Sequence, residues 1–354
     1  MAGAERLRIA TYNVEWFNAL FDEDGRLLAD GAPSARHQIR RAEQAGALGI
    51  VFTALDADAV MVIEAPDTGS RRSSVRALET FAATFGLRTR RAVTGFMSET
   101  EQEITLLYDP DRLTARHDPR GDPVGKKGSR DAPRFDSTFR YDLNADAAPE
   151  LIRFSKPPLE LAVTTAAGRT LRLIGVHAKS KAPHGARSPA EITRLSIENR
   201  RKQLAECIWL RARVADHLAR GEDLIVLGDF NDGPGLDAYE KLFGHSGVEI
   251  VLGLDVPPEA QMYDPHAAMA QAGRMNLAPT TARFWLHPQQ RYFEALLDFI
   301  MVSPRLAETR PAWRIWHPWN DPACLNTAEL HEALLQASDH FPVTLDLTWP
   351  RDKT

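Results

Sequence analysis

Residues 224–235 read Leu224-Ile225-Val226-Leu227-Gly228-Asp229-Phe230-Asn231-Asp232-Gly233-Pro234-Gly235. Four consecutive apolar residues fit a strand buried on both faces, and Gly228 with Gly233-Pro234-Gly235 ends it in a loop with special backbone needs. Asp229 and Asn231 lie two apart in extended chain and point the same way, so a carboxylate and a neutral amide stand side by side at a sheet edge. That pair suits phosphoryl chemistry. The carboxylate can hold or deprotonate a water, while the amide donates to a phosphate oxygen without adding negative charge. Asp, Asn, Gly and Pro are also ordinary turn formers, so the pair gains meaning only if other strand ends converge on it.

Working outward, Leu7 to Val14 alternates as a strand and carries Asn13 near its end. Ala59 to Ile63 is a second buried run, and it ends on Glu64. Leu159 to Thr164 and Leu171 to Val176, turned by Gly168, form a hairpin whose second strand delivers His177 and Lys179 to one rim, with Lys181 beyond. Ser188-Pro189-Ala190-Glu191 caps a long connecting helix that ends at Gly221. Ala282 to Leu286 and Ala295 to Val302 read as further strands, and Asp298 falls inside the second. An acid in an apolar strand is costly unless paired, and its natural partner is a histidine. Asp339 and His340 lie at the mouth of a closing strand, Val343 to Leu347. Trp313, Trp316 and Trp319 read as a wedge packed beneath a loop.

The chain has 354 residues, enough for one large domain or two ordinary ones. Its formal charge of -5 argues against a generally basic nucleic-acid coat. Residues 112–140 hold the one basic concentration, read as a long mobile loop without periodicity. Cys207 and Cys324 form neither a disulfide framework nor a metal-binding spacing, and are expected as inert core thiols. With no apolar leader and no membrane-length run, the expectation is a soluble, cytoplasmic protein. The polar strand ends are carboxylates, amides and two histidines. Hard oxygen ligands without cysteine point to Mg²⁺, with Mn²⁺ as a substitute.

The ordered series Ile9-Ala10-Thr11-Tyr12-Asn13-Val14, Val62-Ile63-Glu64, Gly175-Val176-His177, Gly228-Asp229-Phe230-Asn231, Leu297-Asp298-Phe299-Ile300 and Ser338-Asp339-His340-Phe341-Pro342 resembles the endonuclease/exonuclease/phosphatase family, which includes DNase I and exonuclease III. The resemblance runs from about residue 6 to 348 and looks closest to bacterial nuclease-like members. It implies a single domain over 1–354 with an α/β fold: a four-layer sandwich of two mixed β-sheets packed face to face and flanked by helices. It also implies roles. Glu64 is the main metal ligand, with Asn13 and Asp339 supporting it. Asp229 and Asn231 position water and phosphate. His340, oriented by Asp298, activates the water or stabilises the phosphorane, and His177 assists the leaving oxygen. The general base lies between Asp229 and His340. Lys156 falls where DNase I-like members have an arginine contacting phosphate, and Glu101, Gln102 or Glu103 supports His177.

Two departures narrow the substrate. Ala65-Pro66 follows Glu64 where abasic-site endonucleases carry a lysine-containing motif, which speaks against abasic-site repair. The inositol polyphosphate phosphatase segment Pro-Ala-Trp-Cys-Asp-Arg is matched only superficially by Pro311-Ala312-Trp313-Arg314. The expected activity is therefore a Mg²⁺-dependent phosphodiesterase, a nuclease with DNA as its substrate. The alternative is a phosphatase or phospholipase-like esterase on a small or lipid phosphate.

Overall fold

Period-two alternation assigns one side of each long strand to a shared interior. In β1 (Glu5–Asn13), Leu7 and Ile9 join the central core, while Ala10 and Tyr12 face the other way. In β2 (Ala59–Ala65) the same split separates Met61 and Ile63 from Val60 and Val62. A computed structural model describes residues 4–141, 150–183, 185–234, 244–272, 279–286 and 290–349; Gly235 and part of the mixed stretch after it lie outside them.

The remaining strands are β3 (Arg91–Thr94), β4 (Glu103–Tyr108), β5 (Leu113–His117), β6 (Phe139–Tyr141), β7 (Glu150–Ile152), β8 (Leu159–Thr165), β9 (Thr170–His177), β10 (Leu224–Asp229), β11 (Ala282–Leu286), β12 (Arg291–Ala295), β13 (Asp298–Val302), β14 (Ala312–Ile315) and β15 (Val343–Trp349). One sheet has the order β14-β15-β1-β2-β4-β3 and the other β13-β10-β9-β8-β5, with β11-β12 and β6-β7 as separate hairpins. Both sheets are mixed. β1 and β2 are parallel, as are β9 and β10, and their other neighbours are antiparallel.

Leu7, Ile9, Met61 and Ile63 from the first sheet meet Leu161, Leu173, Ile225, Leu227 and Ile300 from the second in one buried layer. Each such side chain contributes about 2 kcal/mol by leaving water. Outside the first sheet, Leu48 and Phe52 of α1 (Arg41–Leu55), Phe81 of α2 (Ser74–Phe85) and Leu334 of an α-helix at Ala328–Ala337 cover Tyr12 and Val62. Outside the second, Trp209, Leu210 and Val214 of α3 (Pro189–Ala219) cover Ile174 and Val226. The result is the expected four-layer α/β sandwich. Among the described residues no helix is long and apolar enough to cross a membrane, and both cysteines are free and buried.

Two expectations need correction. The stretch 112–140 is not one long loop: Leu113–His117 forms edge strand β5, and Phe139–Tyr141 forms β6. In β5 only alternate residues face the core, so Arg116 within it and Arg112 just before it mask the pattern. Arg112, Arg116, Arg120 and Arg134 are ion-paired to Asp58, Asp118, Glu222 and Asp136, while Lys126 and Lys127 are exposed. The run from Ala295 to Val302 is not continuous either. β12 ends at Ala295 and β13 starts at Asp298, so the acid heads its strand.

Gly228 has φ +141°, and a Cβ there would fall inside the Val176 carbonyl on the neighbouring strand. No side chain fits, and the peptide before Asp229 depends on that freedom. Gly228→Ala is therefore expected to cost roughly 3 kcal/mol or more. A denaturant midpoint within error of wild type would refute this.

Candidate functional site

Strand direction brings the polar residues to one rim. β1, β9 and β10 end at Asn13, His177 and Asp229, and β2 carries Glu64 next to its last residue. Their antiparallel neighbours begin there, because β13 opens with Asp298 opposite Asp229 and β15 opens with Val343 opposite Thr11, just after Asp339 and His340. Likewise β4 begins at Glu103 opposite Ala65, and Leu159 of β8 lies opposite Gly175, three residues after Lys156. The alternation that places Leu7 and Ile9, Leu171 and Leu173, Ile225 and Leu227, and Ile300 in the inter-sheet core also places Asn13, His177, Asp229 and Asp298 on that face. At this edge the inner layer changes from apolar to polar.

Glu64 breaks the alternation. A register shift between Ile63 and Ala65 and φ +60° re-aim it, as β-bulges near functional sites do. Its Oε2 accepts the Trp16 backbone N–H at 3.1 Å, and its Oε1 lies 3.9 Å from His177 Nε2.

Asp229 is held by three N–H donors: Asn13 Nδ2 at 3.0 Å, the Asn231 backbone at 2.7 Å and Asn231 Nδ2 at 3.1 Å. His177 Nε2 lies 3.7 Å from Asp229 Oδ2 and 2.9 Å from Lys156 Nζ, and Lys156 Nζ also donates to Gln102 Oε1 at 3.3 Å. Across the rim, His340 Nδ1 is 2.8 Å from Asp298 Oδ2. Ser338 ties the segment before β15 to the end of β1 by donating to the Asn13 carbonyl at 2.8 Å and accepting from His340 N at 3.2 Å. Donor atoms of Asp229, Asp298 and His340 fall within 4.8 Å of one another. Within this trio His340 Nδ1 is already engaged by Asp298, while the Asp229 carboxylate is held by Asn13 and Asn231.

Electrostatics follow from burial. Asp229 is pushed up to about 7 chiefly by burial, with Asp298 adding to the rise and His340 opposing it. Burial also raises Glu64 against the pull of the Trp16 N–H and Lys156. His177 is held well below its usual range by burial and by the Lys156 ammonium. Burial would lower His340, but the facing Asp298 carboxylate, with Asp229 and Asp339, holds its imidazolium well above the ordinary value.

The donor set fits a hard divalent cation. Glu64, with Asp339 near enough to raise it, supplies carboxylate oxygen, and among the described residues Asn13 Oδ1 is buried without a partner. Glu15, which the sequence did not single out, adds a further acid. It pairs with Arg36 and is pushed up to about 7 by burial and by Asp339. Gln102 proves to be the residue reaching Lys156; Glu101 binds Asn18 instead, and Glu103 accepts from the Thr68 and Ser98 backbones.

The outer lysines sit differently. Lys179 is half-buried, with its backbone N–H on Glu206 at 2.8 Å. Lys181 is ion-paired to Asp232. Trp313, Trp316 and Trp319 face inward: Trp313 donates to the Ile300 carbonyl, Trp316 to Thr344, and Trp319 packs on Phe341 and His331.

The profile of the Endonuclease/Exonuclease/phosphatase family matches residues 10–340. No curated protein matches the chain. Among solved structures, TDP2 from Caenorhabditis elegans aligns with a TM-score of 0.51 at 13% identity, over 97% of this chain and 75% of that one. An endonuclease/exonuclease/phosphatase family protein from Bacteroides thetaiotaomicron gives 0.48 at 14% identity, over 99% and 97%. The 3' phosphatase NExo from Neisseria, bound to a product DNA hairpin, gives 0.47 at 16% identity, over 97% and 100%. At these identities the likeness is one of fold.

Proposed function

Because the chain belongs to the endonuclease/exonuclease/phosphatase family, a family of phosphate-ester hydrolases, we propose that it is a Mg²⁺-dependent phosphodiesterase acting on DNA. The observation that carries this reading is the convergence at one rim of Asp229 with its three N–H donors, the Asp298–His340 pair and the Lys156–His177 pair.

Glu64, with Asn13 and Asp339 beside it, would hold the cation. When bound, a divalent ion neutralises charge on a phosphoryl oxygen and acidifies water. Asp229, fixed by Asn13 and Asn231, orients the attacking water and takes its proton. The imidazolium of His340 donates to the phosphoryl oxygens as charge grows on them, while the Asn231 amide, which donates to Asp229 and to the Ala178 carbonyl, keeps the base in place. Asp298 fixes the tautomer and direction of that ring. Lys156, with His177 beside it at 2.9 Å, would assist the leaving oxygen, and Lys179 and Lys181 would contact phosphates further along the strand. Lysine supplies a point charge there instead of the bidentate fork of arginine.

One panel tests the reading: supercoiled plasmid, linear duplex, single-stranded DNA and a phosphomonoester, each with Mg²⁺ or with chelator. Cleavage of DNA only with Mg²⁺ is expected. Hydrolysis of the monoester with every DNA left intact would replace the nuclease by an esterase of small phosphates.

A further inference from the structure

The β11-β12 hairpin stands over the rim with aromatic side chains on both faces. Trp285 is 39% exposed and Tyr292 54%, and the register pairs them across the hairpin with ring centroids 5.0 Å apart. Two-stranded hairpins are marginal alone and exposed aromatic patches are uncommon without a purpose, so what holds this one matters. The Arg283 guanidinium lies 3.7 Å from the Tyr292 ring centroid and 4.5 Å from that of Trp319, with Glu294 at 3.4 Å. Trp319 is braced in turn by Phe341 and His331. Planar groups thus touch in the order Trp319, Arg283, Tyr292, Trp285, and the two exposed rings are held in place before any ligand arrives.

The base of the hairpin is joined to the catalytic segment. Ala282 bridges His340, and the Arg283 N–H donates to the Asp339 carbonyl at 2.7 Å. Beside it lies a cavity of about 470 Å³ whose lining includes Trp285, Tyr292, Gln38, Arg36 and Asp339. Asp339 is a shared wall between this cavity and the polar centre. Gln38 is held at φ +61°, an uncommon conformation for a residue other than glycine, and it brings an amide to the cavity mouth.

We infer that this cavity is a stacking site for an unpaired nucleobase of the strand whose scissile phosphate occupies the adjacent centre, so that the DNA is single-stranded or frayed where it is cut. This rests on the nuclease reading above and adds the strand state of the substrate. A base within a duplex has both faces covered by its neighbours and cannot offer one to Trp285. An unpaired base can, and stacking accepts any base, while Gln38 and Arg36 meet its polar edge.

The test measures affinity in chelator for a short oligothymidylate, a base-less deoxyribose phosphate strand of equal length and a blunt duplex. Wild type is expected to prefer the oligothymidylate to both. The Trp285→Ala/Tyr292→Ala protein should lose at least about tenfold in affinity for oligothymidylate and bind the base-less strand as wild type does. The Trp285→Phe/Tyr292→Phe protein should recover most of the loss, which separates stacking from damage to the hairpin. Equal binding of oligothymidylate by the alanine variant and wild type overturns the inference, as does a preference of wild type for the duplex or an equal loss on the base-less strand. If wild type neither binds nor cuts any DNA yet hydrolyses a phosphomonoester with Mg²⁺, the nuclease reading has failed and this inference falls with it.

Discussion

His340→Ala is expected to lower turnover of a DNA phosphodiester by roughly 10²- to 10⁴-fold, the usual worth of a positioned proton donor or acceptor, while the fold persists. The ring is the far end of a buried pair whose other member heads β13. Asp298→Asn should therefore reproduce most of the loss, because the amide keeps the shape but removes the charge that fixes the ring. The double variant should be little worse than either single one, since the two residues act as a unit. Steady-state rates and melting curves on the four proteins decide the matter. An Asp298→Asn enzyme that stays fast but melts early would make that carboxylate a structural acid.

Glu64→Gln should cost roughly a hundredfold or more in rate at moderate Mg²⁺, since it takes charge from the group proposed to hold the cation. Mg²⁺ should raise the Tm of wild type, and this variant should lose most of that rise, a readout independent of turnover. The sign with pH follows from burial. Asp229 is raised to about 7 and Glu64 is raised as well, so the metal-free fold holds these protons more tightly than the unfolded chain does. Their contribution to stability is full below the ordinary carboxylate range and is lost as pH rises through about 7. Mg²⁺ must displace the same protons, so its Tm increment should be larger on the alkaline side of neutrality than at mildly acid pH. An increment independent of pH, or one retained by Glu64→Gln, would place the cation elsewhere.

Much of this centre was legible because buried strands are plain in sequence. Val226-Leu227-Gly228-Asp229 and Ile174-Gly175-Val176-His177 show where an apolar run stops, and period two says which side the next residue faces. Glu64 was legible as a strand end, but not its aim, because a register shift and a positive φ leave no mark on composition. Asp298 was recognised as an acid needing a histidine, yet its strand was read three residues too long because Leu296 and Leu297 are as apolar as the strand they precede. The β5 segment was missed for the opposite reason. An edge strand needs apolar residues only on alternate positions, and β5 is short and set among arginines, with Arg112 just before it paired to Asp58, far away in sequence. Glu15 beside Asp339, and Lys156 between Gln102 and His177, are contacts made by topology, which no local pattern encodes.

The pairing of β1 with β15 has a consequence for synthesis. Arg8 and Asp346, joined by an ion pair, are 338 residues apart, so on a ribosome the first strand emerges long before its antiparallel partner exists. Until then β1 has one open edge and an apolar face with nothing opposite it, a state that invites chaperones or wrong partners. The same delay withholds Asp339 and His340, which enter the centre only as β15 docks. A chain that has made β1 but not yet β15 therefore lacks both residues at the rim, and the centre is completed only when the two strands pair.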